Sequence, residues 1–108
     1  MHKRPPFNPD RLHKLPSSEA KFVAELALYQ DSQQMTDVAF VRALGITLVL
    51  WRKSRSGRLG LGYKLMVAGA DYVGARTYQA AEASLTDRVR GRLLRQEEGD
   101  SIAVGVVG

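Results

Sequence analysis

The sequence predicts an all-α domain of three to four helices. Three observations carry that prediction. Phe22, Val23, Leu26, Ala27 and Gln30 recur at helical spacing behind a serine pair. Residues 38–51 are mostly apolar and do not alternate with polar residues, as a half-buried strand would. No proline interrupts the chain between Tyr63 and Glu98.

Residues 1–16 hold all four prolines, Pro5, Pro6, Pro9 and Pro16, together with Lys3, Arg4, Arg11 and Lys14. Each proline fixes φ and lacks an N–H, so this stretch reads as an extended or irregular basic arm in solvent. Ser17 or Ser18 is placed to cap a first helix over about 18–34, with Glu19 in its first turn. Thr36 is a second N-cap, followed by Asp37, and starts a helix that runs as one piece to Arg52 at the centre of the domain. The β-branched run Ile46–Trp51 leaves an α+β alternative open, with a hairpin at 46–67 turning at Ser54–Gly57. Gly57, Gly60 and Gly62 mark a flexible loop. The segment Tyr63–Glu98 is helical. Leu65, Ala68, Tyr72 and Ala75 share one face, and Leu85, Val89 and Leu93 form a further stripe. Ser84-Leu-Thr-Asp87 resembles a capping box and places a break near residue 84. Gly99 is a C-terminal stop, so the helical domain is 17–99 and residues 100–108 form an apolar tail.

A chain of 108 residues suits one domain with a real core. With 44% hydrophobic and 25% charged residues, it is not of disordered composition. The absence of cysteine excludes disulfides and thiol chemistry. The net charge of +5 favours acidic partners such as nucleic acid without selecting one. The N-terminus leads into proline rather than an apolar stretch, and no run approaches the ~18 apolar residues of a membrane span. The expectation is a cytoplasmic protein without membrane contact.

Residue sets that do chemistry are missing. His2 and His13 both lie in the proline-rich arm, without metal-ligand spacing. Gly57-Arg-Leu-Gly-Leu-Gly-Tyr-Lys64 lacks the Gly-Lys-Ser/Thr of a phosphate loop, since Tyr63 separates Gly62 from Lys64 and Leu65 replaces the hydroxyl. No enzyme activity, cofactor or metal is expected.

Two binding readings follow. Apolar helix faces and small residues such as Gly69, Ala70, Gly74, Ala80, Ala81 and Ala83 suit a homodimer and a protein partner. The anchors of such a docking face are Phe40, Leu44, Leu48, Trp51 and Tyr72, although side chains of this kind are more often plain core. The alternative is a small nucleic-acid-binding protein using Arg52, Lys53, Arg55 and Arg58, with Arg88, Arg92 and Arg95 on one helical face.

Arg42-Ala-Leu-Gly-Ile-Thr47, continued by Trp51-Arg-Lys-Ser-Arg-Ser-Gly57, resembles the helix-turn-helix of repressors. In that family polar base-reading residues stand between the turn and a tryptophan-like position. Here only Leu48-Val-Leu50 stand there, a turn too few, so no base-reading residue is assigned. In whole-chain outline the sequence resembles the QslA-type quorum-sensing antiactivators of pseudomonads. The features that carry this are the proline-rich arm, the Phe22–Gln34 helix, the Thr36–Trp51 helix and the long Tyr63–Glu98 segment. That resemblance implies a bacterial, non-catalytic regulator of transcription. Its partner would be a LuxR-type transcription activator, kept by sequestration from dimerising or binding DNA.

Overall fold

Caps and left-handed residues, more than apolar periodicity, set where the helices of this chain begin and end. The computed structural model describes the backbone of residues 7–107 and the side chains of residues 7–96. It contains five α-helices: α1 (Ser17–Ser32), α2 (Asp37–Leu44), α3 (Leu48–Arg55), α4 (Tyr63–Gly69) and α5 (Ala75–Val107). Two short 3-10 turns, Pro9–Leu12 and Ala70–Tyr72, complete it. The fold is all-α, and no strand occurs among the described residues. The hairpin alternative over 46–67 is therefore overturned, because Leu48–Arg55 coils into α3 and buries Trp51 from one helical face.

The arm expected in solvent is anchored from Phe7 onward. Asn8 caps the 3-10 turn through its side chain, which puts Leu12 inward among the fully buried residues. Phe7 and Leu15 pack on the same core. Residues 1–6 lie outside the described residues. Pro16, not a serine, occupies the N-cap of α1, and no side chain bonds there. α1 ends at Ser32, and beyond it Gln34 adopts φ 54°, while the Met35 N–H donates back to the Gln30 carbonyl at 3.1 Å.

The single helix expected over Thr36–Arg52 is instead two. Thr36 caps α2 by accepting from the Ala39 N–H. Gly45 then turns left-handed, at φ 72°, and donates to the Val41 carbonyl at 2.8 Å. Thr47 caps a new helix by accepting from the Leu50 N–H at 3.2 Å. A left-handed residue followed two positions later by a capping hydroxyl ends one helix and starts the next. The core face continues across the break as Phe40, Val41, Leu44, Ile46 and Trp51.

The break expected near residue 84 falls at 69–74. Val73 is extended there, and the Ser84 hydroxyl donates to Glu19 on α1 at 2.7 Å instead of capping a helix. The expected stop at Gly99 is absent, since α5 continues to Val107 and includes the stretch read as a tail.

α1 lies along the first part of α5, with Glu19 against Ser84 and Arg88 and Phe22 against Tyr78, and α4 also packs on α5. Phe22, Leu26, Phe40, Trp51, Leu65, Met66 and Leu85 form the centre of the core. Phe40 meets Trp51 edge-on at 5.0 Å between ring centroids and Tyr72 at 6.1 Å.

The loop after α3 is held at both ends, not flexible throughout. Arg58 and Leu59 both donate to the Lys53 carbonyl, and Leu61 is buried. Gly57 adopts φ 77°, and a Cβ there would overlap the Arg11 carbonyl oxygen. Gly57→Ala is expected to cost about 3 kcal/mol, from the left-handed conformation and the backbone overlap together. Gly45 has nearly the same φ but open space around it. Gly45→Ala therefore serves as the reference, at about 1 kcal/mol. Equal losses in denaturant unfolding would show that the contact with Arg11 contributes nothing.

Candidate nucleic-acid interface

α2 and α3 are joined by Gly45-Ile46-Thr47, a three-residue turn containing glycine. Two short helices joined by such a turn share the connection of a helix-turn-helix. By the spacing of the repressor motif, Trp51 would stand at the far end of a recognition helix a turn too short. Trp51 instead lies in the middle of α3, on its buried face. The polar residues of α3 follow Trp51 rather than precede it. Arg52 and Lys53 are exposed on the second turn, and Val49, 61% exposed, is on the first.

Charge is concentrated on this unit and on the first residues after it. Residues 37–58 carry Arg42, Arg52, Lys53, Arg55 and Arg58 against the single carboxylate of Asp37. Five cations less one acid leaves four of the chain's net five positive charges in 22 residues. Arg42, Arg52, Lys53 and Arg58 are all exposed. Arg52 lies 3.5 Å from Asp37 with its side chain 62% exposed, so the pair is screened by solvent and easily exchanged for another anion.

Arg55 does not belong to that set. It is 9% exposed, and its Nη1 donates to Gln30 Oε1 at 2.8 Å. Its Nη2 donates to both Asp31 carboxylate oxygens at 3.1 Å, and its guanidinium lies 5.4 Å from the Phe7 ring centroid. Gln30 is fully buried and uses its whole amide. It donates to the Met35 carbonyl and to Asp37 Oδ1, and accepts from Trp51 Nε1 at 3.0 Å as well as from Arg55. This network ties α1, α2 and α3 together. It fixes the orientation of the unit rather than offering a cation to a ligand. Its signal in the sequence is a glutamine at an apolar stripe position, which the helical spacing absorbed without assigning its partners.

The proposed anchors of a protein-docking face are mostly inside. Phe40 and Trp51 are fully buried and Leu44 is nearly so, because both short helices must bury a face against α1 and the Tyr72 turn. Those three side chains form the domain's own core and are corrected from docking anchors to structural residues. Leu48 and Tyr72 are half-buried. Among the basic residues on α5, Arg88 is paired with Glu19 at 2.8 Å, while Arg92 and Arg95 are exposed. The small residues offered for a partner's approach partly serve α1, since Gly69 lies against Leu26 and Phe22, and Ala81 is buried.

Among the described residues, no group of three His, Cys, Asp or Glu side chains could hold a metal ion. No helix there is long and apolar enough to cross a membrane. Tyr78 has its pKa raised, first by its side-chain hydrogen bond with Glu82, then by burial and by the Glu82 charge. It remains a neutral phenol at physiological pH. No family model matches this chain, and comparison with curated proteins and with solved structures finds no match.

Proposed function

We propose that this chain is a small, non-catalytic DNA-binding regulator whose α2–α3 helix-turn-helix unit docks on duplex DNA. The observation that carries the reading is the exposure of Arg42, Arg52 and Lys53 on one pair of short helices, with Arg58 exposed just beyond it. In such units the second helix enters the major groove while the first crosses the phosphate backbone. Here Val49, Arg52 and Lys53 project from α3 as the groove-facing residues, and Arg42 and Arg58 flank it for phosphates. An apolar Val49 suits contact with a thymine methyl group, and Arg52 suits a guanine edge. The buried Gln30–Arg55–Trp51 network holds α3 in place, so little order has to be gained on docking.

The experiment is fluorescence anisotropy on a random-sequence duplex across a salt series. On a random-sequence duplex, where no base edge is matched, all four exposed cations meet phosphates and give a slope of roughly −3 to −4 in log K against log salt. Reversing both Arg52 and Lys53 to Glu should weaken binding at least tenfold and remove about two from that slope. Absence of binding at low salt, or a double variant that binds as the wild type does, sinks the reading.

A second reading keeps a specific footing in Val49 and Leu48, which place apolar surface among the cations of α3. On it, the same surface sequesters a LuxR-type transcription activator, as the antiactivator resemblance implies, and the chain reaches DNA only through its partner. Its complex would resist salt and be abolished by Val49→Asp, and the chain alone would show no duplex affinity at low salt.

A further inference from the structure

α5 is much longer than the body it packs on. Its row Thr77, Ala81 and Leu85 is buried, Val89 is half-buried, and Leu93 and Leu94 are 53% and 51% exposed. The helix then continues to Val107. Eighteen residues beyond Val89 rise about 27 Å, roughly five turns. The chain accordingly extends over 65 Å along its longest axis, with a radius of gyration of 17.0 Å. A compact chain of this length has about 13 Å.

A helix of that length standing alone in water is marginal. This one also holds Gly91, Gly99 and Gly105, each costing about 1 kcal/mol against alanine in a helix interior. Its stability calls for a surface to pack on. The order of charge along it states which surface fits. Arg90, Arg92 and Arg95 come first, then Glu97, Glu98 and Asp100, then the uncharged stretch 101–108. Three cations precede three anions, so the segment is complementary to itself when reversed. A parallel pair would set like charge against like.

We infer that the distal half of α5 is a homodimerisation arm that pairs with a second copy of this chain, antiparallel, crossing near Gln96. The cationic stretch of each copy lies alongside the acidic stretch of the other. The contact is isologous, as a two-fold axis requires. Leu93 and Leu94 supply apolar surface beside the crossing. The inference does not depend on DNA binding. It would hold two α2–α3 units in one particle, at opposite ends of the paired arms.

The test is sedimentation equilibrium of the full chain with charge-reversed variants. Wild type should be a dimer at micromolar concentration. Arg90→Glu with Arg92→Glu, and separately Glu97→Arg with Glu98→Arg, should each weaken the dimer at least tenfold, with unchanged unfolding of the body. A mixture of the two variants should associate again. One chain carrying all four reversals should also dimerise, because antiparallel pairing restores attraction. A wild type that stays monomeric to several hundred micromolar overturns the inference. So does a fourfold variant that stays monomeric, which would show that charge pairing between the two stretches does not hold the arms together, and so does a reversal that leaves the dimer intact, which would place the contact elsewhere.

Discussion

Trp51→Ala is expected to remove about 3–5 kcal/mol of stability, which for a domain of this size is a large share of the roughly 5–15 kcal/mol available. Three costs combine at this position. The indole is fully buried, so truncation leaves a cavity that two short helices cannot collapse around. Its edge-on contact with Phe40 at 5.0 Å is lost. Its Nε1–H donates to the buried Gln30 Oε1, which then keeps only Arg55. Trp51→Phe separates these terms. It retains most of the ring volume and loses the hydrogen bond, so it should cost roughly 1–3 kcal/mol. Denaturant unfolding followed by circular dichroism checks both. A Trp51→Ala chain within 1 kcal/mol of wild type would show that α3 does not depend on its core face. Trp51→Phe should also retain DNA affinity once folded, because the indole faces away from the exposed side of α3.

Arg88→Met is expected to cost about 3–5 kcal/mol, although Arg88 is itself a third exposed. The reason is what it leaves behind. Glu19 is completely buried on α1, and Arg88 Nη2 donates to its Oε1 at 2.8 Å while the Ser84 hydroxyl donates to its Oε2 at 2.7 Å. Without the guanidinium, a carboxylate remains in the core with a single neutral donor. The same Nη2 also donates to the Leu61 carbonyl at 2.6 Å, so the loop after α3 loses its tie to α5. Glu19→Leu strands a cation that solvent can partly reach, and its cost is smaller, about 2–3 kcal/mol. The double variant Glu19→Leu with Arg88→Met should be more stable than Arg88→Met alone, since no buried charge remains. Additive losses in that cycle would mean the two side chains contribute independently.

The amino-acid order by itself determined the helical class and, at Thr36, where one helix starts. Phe22 to Gln30 at helical spacing, Thr36 before Asp37, and the proline-free stretch after Tyr63 act through near neighbours, so they are legible without the fold. Gly45 and Thr47 were equally local signals. They were outweighed by the apolar run around them, and a helix that is in fact two was read as one. The basic cluster was legible as composition, and three of its four cations, Arg52, Lys53 and Arg58, stay exposed.

Tertiary structure decided the rest, because burial depends on partners distant in sequence. Trp51 and Phe40 have the chemistry of docking anchors, and only the approach of α1 and Tyr72 makes them core. Arg55 has the sequence context of a phosphate ligand, and Gln30 and Asp31, 25 and 24 residues away, remove it from solvent. Ser84 looks like a helix cap until Glu19, 65 residues earlier, takes its hydroxyl. The length of α5 beyond the body shows the same dependence in reverse. The stripe Leu85, Val89 and Leu93 reads as one continuous core face. Only the end of α1 and α4 beneath it determines where that face stops being covered.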